Sequence, residues 1–370
     1  MIAHPPARDG DDVTIRFDGK THATFRFPPE VRTAGTADAA VAAGWLPAMA
    51  AGEPLVVDGP VSARLVDNAE LIADILVTWD RALHPGHSKY SRVPLVATRR
   101  EEPADEPPRT PNRRGTACFF TGGIDSFHSV LRRRDELDAL IFVHGFDLLD
   151  DQHDPLNQQV SARLQAAAGM LGLPLIEVEC NLVAYSTSFG ISWDDYHGSA
   201  LATVALLLAP HFSKVFVPAT TTYAVLYPLG SHPLLDPLWS TEQVQIVHDG
   251  ADATRFEKVR AIAGEPAARH HLRVCFENRD GLYNCGQCEK CIRSGVAIRV
   301  AGVEGSFPSL PPPTLRQIAS VNVVGLGTAW KGYRDELART KASERLRRAI
   351  DIALARRRMK QWPHVGRWVP

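Results

Sequence analysis

Ala117-Cys118-Phe119-Phe120-Thr121-Gly122-Gly123-Ile124-Asp125-Ser126 is the stretch that decides the fold. The apolar run 117–120 reads as a buried strand. Two glycines follow a single threonine, and Asp125-Ser126-Phe127-His128-Ser129-Val130-Leu131 opens an amphipathic helix. A strand, a tight glycine turn and a helix start together make an anion site. The first helical N–H groups have no partner within the helix, and the helix dipole adds partial positive charge there. Gly122 and Gly123 let an anion approach the backbone with no Cβ in the way, and Ser126 can donate its hydroxyl to the same anion. No Gly-Lys-Ser/Thr ending is present, so the stretch is not a Walker A loop.

From this loop the pattern extends in both directions. Strand-like runs at 116–120, 139–144, 174–180, 214–218 and 243–247 alternate with helical periods at 125–137, 156–171, 197–208 and 255–263. That order predicts an α/β fold with a parallel five-stranded sheet covered by helices on both faces. Ligands then belong at the carboxyl ends of the strands, where the loops holding Asp147 and Thr220 should meet the glycine turn. Upstream, residues 1–100 read as an α+β accessory domain. They contain a hairpin pattern over 13–27 with Asp18-Gly19 between its arms, short strands near 55–57 and 93–96, and a one-sided helix over 63–83. Residues 101–114, rich in Arg, Glu and Pro, read as an extended linker. Residues 115–310 are the nucleotide-type domain. Residues 311–370 are a C-terminal extension with one long helical stretch, 333–362. Leu337, Leu346, Ile350, Ile352 and Leu354 form its apolar stripe, and its basic face reads as solvated.

Composition sets limits. Apolar residues make up 45% of the 370 and charged residues 22%, with a net charge of −1. Nothing in that balance attracts nucleic acid or an anionic membrane. The longest apolar run, 200–210, is too short to span a bilayer. The first residues carry no secretory signal, so a cytoplasmic protein is expected. Six cysteines in a clustered arrangement do not suit a disulfide scaffold. Four of them, Cys275, Cys285, Cys288 and Cys291, have metal-site spacing, and Gly286 permits a tight knuckle. Structural zinc fits four thiolates with no open position. An iron–sulfur cluster is the chemical alternative. Lys290 and Arg293 would offset part of the thiolate charge. Cys118 and Cys180 read as core thiols.

Thr121-Gly122-Gly123-Ile124-Asp125-Ser126 resembles the Ser-Gly-Gly-x-Asp-Ser signature of the PP-loop ATP pyrophosphatases, with Thr121 for the usual first serine. Together with Cys285-Gly286-Gln287-Cys288-Glu289-Lys290-Cys291-Ile292-Arg293, it is similar to one branch, the 7-cyano-7-deazaguanine synthases (QueC type), over roughly 115–302. The resemblance implies a PP-loop fold, ATP and Mg²⁺, one structural zinc, and adenylation of a carboxylate or amide oxygen followed by attack of ammonia or an amine. It assigns pyrophosphate to Thr121, Gly122, Gly123, Asp125 and Ser126. Asp194-Asp195-Tyr196-His197 stands where that branch has a Pro-x-Arg-Asn segment, and residues 227–240 stand where it has Asp-Cys-Arg. ATP handling is therefore expected to be retained and the acceptor pocket rebuilt. A specialised member acting with a partner protein, in defence or secondary metabolism, fits these departures. A tRNA-modifying relative, a thiolase or lysidine-type enzyme, is the alternative, and nucleic acid is disfavoured by the neutral charge. An oligomer is compatible with either.

Several roles stay open on the residues alone. Asp125 can cap the helix or help place Mg²⁺. Asp147 and Asp236 are candidates for Mg²⁺ or substrate contact, with turn chemistry as the competing role. His197 and His232 can bind substrate or serve as acid and base. Lys258 can reach a phosphate or form a surface pair.

Overall fold

The computed structural model describes residues 1–100, 114–146, 154–324 and 327–365, with side chains described to residue 358. Before the glycine turn come β1 (Ile2–Ala3), β2 (Ala7–Asp9), β3 (Asp12–Ile15), β4 (Ala23–Arg26), α1 (Asp38–Ala51), β5 (Leu55–Ser62), α2 (Ala63–Leu83) and β6 (Leu95–Arg100). The alternating part runs β7 (Gly115–Phe119), α3 (Ile124–Arg132), β8 (Ala139–His144), α4 (Pro155–Leu171), β9 (Leu175–Cys180), α5 (Leu182–Ser188), α6 (Trp193–Leu207), β10 (Phe212–Pro218), β11 (Gln245–Asp249) and α7 (Arg255–Ile262). After it come α8 (Pro266–His271), α9 (Glu289–Ala301), α10 (Leu315–Ser320), α11 (Thr328–Thr340) and α12 (Glu344–Val365).

The main sheet is mixed and has eight strands, in the order β11-β10-β7-β8-β9-β4-β3-β2. Its first five strands are mutually parallel. The other three come from the N-terminal region and run antiparallel, with β4 joining β9 through Phe25 opposite Cys180. The five strands read from the sequence are thus all present, in a wider sheet than expected. The apolar faces of the hairpin, Val13, Ile15 and Phe25, continue the core past β9, whose edge would otherwise stand open. A second, three-stranded parallel sheet is ordered β1-β5-β6.

Side-chain alternation divides the interior in two. Ala117 and Phe119 of β7 face one core, and Cys118 and Phe120 the other. β8 repeats this with Ile141 and Val143 against Leu140 and Phe142. Strands buried on both faces read as continuous apolar runs, which is why they were legible. The first core includes residues of α1, α2 and α6, and the second those of α3, α4, α7, α9 and α12. Residues 1–100 therefore share a core with the parallel strands. α1 was missing from the sequence reading. It is Ala-rich and buried nearly all round, so it carries no one-sided period. It packs on α6, where Tyr196 donates to the Ala43 carbonyl at 2.8 Å and Ser199 to that of Ala42.

The C-terminal stretch is two helices, not one. Lys341 takes a left-handed conformation (φ 53°) and ends α11, and Ser343 accepts from the Leu346 N–H as α12 begins. Leu337, Leu346, Ile350 and Leu354 are buried as expected. Ile352 is 51% exposed, because two residues, about 200° of helix, separate it from Ile350 and Leu354 on α12. Residues 101–113 of the expected linker lie outside the described residues, and Arg99 and Arg100 just before it end β6. No helix among the described residues is long and apolar enough to cross a membrane.

Candidate functional site

The strand order reverses direction between β7 and β10, and in open α/β sheets ligands bind at that crevice. The glycine turn lies there. Gly122 has φ +68°, a backbone conformation that favours glycine, and a Cβ on it would stand 2.7 Å from Leu164 Cδ2, which would have to shift. Gly123 precedes the first turn of α3 in an extended conformation. Its N–H donates to Ser126 Oγ at 3.1 Å, and the same hydroxyl lies 3.1 Å from the Gly123 carbonyl. Ser126 therefore pins the turn while remaining on the wall of a cavity of about 220 Å³.

That cavity has two ends. Ile141, Val143, Phe146, Trp193, Leu201 and Val217 make an apolar end, with the Phe146 and Trp193 rings 4.7 Å apart. Thr121, Gly123, Asp125 and Ser126 lie with Arg255, Arg273, Lys290 and Arg293 at the other. The apolar end suits a flat ring, and the cationic end suits a phosphate chain or carboxylate.

Asp125 is not a helix cap. Its carboxylate takes Arg255 Nη2 at 2.9 Å and Lys258 Nζ at 3.0 Å. Burial alone would raise its pKa. The Arg255 and Lys258 charges outweigh burial and hold it at about 2. Lys258 is buried and also donates to the Ala219 carbonyl at 2.6 Å, which rules out the surface pair. With both Asp125 oxygens engaged, and Asp125 the one carboxylate among the described cavity residues, those residues offer no ready Mg²⁺ ligand there.

His197 lines the cavity from α6, with Nδ1 3.3 Å from the Trp193 carbonyl. Burial pushes its pKa below the usual histidine value, so it is neutral at pH 7 and able to accept a proton. Asp236 is placed differently from the expectation. It is 1% exposed and does not line the cavity. Its Oδ2 accepts from Ser231 Oγ at 2.8 Å and lies 2.7 Å from His248 Nδ1, and its Oδ1 accepts the His232 N–H at 3.2 Å. The turn consumes the carboxylate, leaving none for Mg²⁺ or substrate, and Asp236 reaches the cavity through its hydrogen bond from Ser231 and its charge near His197, both of which line it. His232 is also withdrawn. Its Nδ1 accepts the Leu234 N–H and its ring packs edge-on against Trp79. Asp147 lies outside the described residues.

Three of the four cavity cations lie in or beside the cysteine segment: Lys290 within it, and Arg273 and Arg293 two residues outside its first and last cysteines. Arg273, 4% exposed, was not anticipated, and its place two residues before Cys275 was the available sequence signal. Its N–H donates to the Gly122 carbonyl at 2.8 Å, which ties that segment to the glycine turn.

The four cysteine sulfurs lie within 4.8 Å of one another, and all four residues are buried. Cys275 and Cys288 sulfurs are 3.9 Å apart, as are those of Cys285 and Cys291. Four thiolates about 2.3 Å from one tetrahedral ion stand ~3.8 Å from each other, so the cluster fits a single metal ion. The Cys288 N–H points at Cys285 Sγ and the Cys291 N–H at Cys288 Sγ, both at 3.3 Å. Hydrogen bonds from Cys275, then Cys291, lower the Cys288 thiol pKa far below its usual value. Cys118 and Cys180 are buried thiols, as the sequence implied, and Cys180 Sγ donates to the His144 carbonyl.

Compared with protein-family models, with curated proteins and with solved structures, the chain matches none.

Proposed function

We propose that the protein is an ATP-dependent adenylating ligase of the PP-loop type, with the five parallel strands as its nucleotide domain. It activates a carboxylate or amide oxygen, releases pyrophosphate and passes the activated group to ammonia or an amine. The observation that carries this reading is the Thr121–Ser126 turn at the strand-order reversal, facing Arg255, Arg273, Lys290 and Arg293 across one cavity. In it the turn N–H groups and Ser126 hold the leaving pyrophosphate. Lys258 and Arg255, fixed by Asp125, offset its charge. The apolar end takes a ring, and neutral His197 accepts a proton from the attacking amine. Magnesium enters with the nucleotide phosphates, since the described cavity residues offer it no free carboxylate. The four cysteines hold one structural zinc, because sulfurs this close leave room for an ion rather than a multi-iron cluster.

The test is pyrophosphate release from Mg-ATP with ammonium present, over a panel of carboxylates that includes 7-carboxy-7-deazaguanine. Acceptor-dependent AMP and pyrophosphate should appear and fall about a hundredfold in Ser126→Ala. Absence of both ATP binding and turnover sinks the proposal. Turnover indifferent to the deazapurine keeps the chemistry and moves the acceptor elsewhere.

A further inference from the structure

A second cavity, of about 190 Å³, lies beyond Arg255 and Arg293. Thr220, Arg255 and Arg293 line both cavities, so these three residues are a shared wall. Its far side is α11, through Thr328, Ala329, Gly332 and Tyr333. This helix lies outside the part of the chain that resembles the synthases, so the second cavity is an addition to that plan.

The chemistry of the chamber is specific. Tyr333 is 1% exposed, and its hydroxyl has no hydrogen-bond partner among the described residues. A buried hydroxyl left unpaired costs about 1–3 kcal/mol, which a ligand accepting from it would recover. Arg293 Nε is likewise buried without a hydrogen-bond acceptor, although Glu289 lies 3.2 Å away as an ion pair. Thr221 and Thr222 add hydroxyls to the same lining. Arg255 and Arg293, each paired on one side with a carboxylate (Asp125 and Glu289), line this space together with Tyr333 and the threonines, a lining suited to an oxyanion.

We infer that the chamber under α11 binds an oxyanion, a carboxylate or phosphoryl group, on a small-molecule second substrate that reaches across Arg255 and Arg293 from the main cavity. In naming the occupant a second substrate, the inference rests on the adenylation reading. The affinity of the chamber for an oxyanion does not.

Two variants probe it without disturbing the fold. Tyr333→Phe removes only the unpaired hydroxyl. Gly332→Leu fills the chamber from its rim. A Cβ at Gly332 meets nothing within 4 Å, and a helical glycine replaced by leucine gains helix propensity. The full chain is titrated with inorganic phosphate and separately with labelled acetate, by ligand-observed NMR with Mg-ATP present and absent. At least one of the two anions should bind with ATP present. Each variant should weaken that binding about tenfold, leaving ATP affinity at the wild-type value and the melting temperature at or above it. Acetate alone binding assigns a carboxylate, and phosphate alone a phosphoryl group. The inference is overturned if neither anion binds the wild type, or if both variants bind as the wild type does. ATP binding in the same samples reports separately on the adenylation reading. Its absence alongside a variant-sensitive anion site defeats that reading and leaves the chamber.

Discussion

Two devices hold cations against the glycine turn, and they work in different ways. Arg255 and Lys258 are held by Asp125, which stands in the turn itself and pairs with residues 130 and 133 positions away. Arg273, Lys290 and Arg293 lie in or within two residues of the segment 275–291, whose four thiols set the backbone path. The first device is electrostatic, and its strength depends on the charge of one carboxylate. The second is covalent-like once a metal is bound, and it positions cations that have no anionic partner in the turn. A site for a polyanion has to keep cations close together without a ligand, and each device supplies part of that cost.

The cysteine device should give the largest effect when broken. Structural zinc in small sites contributes about 10–16 kcal/mol of apparent binding free energy at pH 7. Cys288→Ser, or chelation of the wild type, should reduce bound metal from one per chain to none and abolish ATP binding, because Arg273, Lys290 and Arg293 lose their common anchor. Metal analysis alongside ATP titration checks both. Metal lost with ATP binding intact would show that the Asp125 pair alone makes the site. The native preparation should be colourless, and a brown one carrying iron would overturn zinc.

The electrostatic device should give a smaller effect with a pH signature. The Asp125 pKa is held at about 2, below its ordinary value of 3.8. The pairing therefore contributes fully above pH 4 and is lost as pH falls from 4 towards 2. That shift corresponds to about 2 kcal/mol. Urea unfolding of wild type and Asp125→Asn should differ by at least that amount at pH 7, and the difference should shrink as pH falls below 4 and close only below pH 2. A constant difference across the range would mean that Asp125 acts through packing. ATP affinity should fall in the variant at pH 7, since Arg255 and Lys258 then repel each other.

These two devices also show what the sequence made readable. The cysteine cluster was legible because all its ligands lie within 17 residues, in a spacing only a metal site explains. The turn was legible because strand, glycines and helix start are contiguous. What Asp125 does was not, since a carboxylate in a first helical turn has several ordinary partners and the ones it takes lie on α7. Asp236 was left between substrate contact and turn chemistry, and its turn role became visible only in three dimensions, where Ser231, His232 and His248 converge on it. The hairpin at residues 12–26 was visible as a hairpin. Its pairing with β9 was not, because period-two alternation does not say which edge a strand will join.

Asp236 gives the smallest expected effect and the finest discrimination. A carboxylate can only accept, so the hydrogen bond at His248 Nδ1 is donated by the ring. Asp236→Asn keeps one carbonyl oxygen for the Ser231 hydroxyl or the His232 N–H, and its amide must face the remaining group. His248 can answer by moving its proton to Nε2, which is buried and has no partner among the described residues. The loss should be about 1 kcal/mol, far from the cost of an unpaired buried charge. Since Asp236 does not line the cavity, the KM for ATP should hold at the wild-type value while the melting temperature drops. The reverse split, an unchanged melting temperature with a raised KM, would return Asp236 to the site and make Ser231 the arm through which it acts.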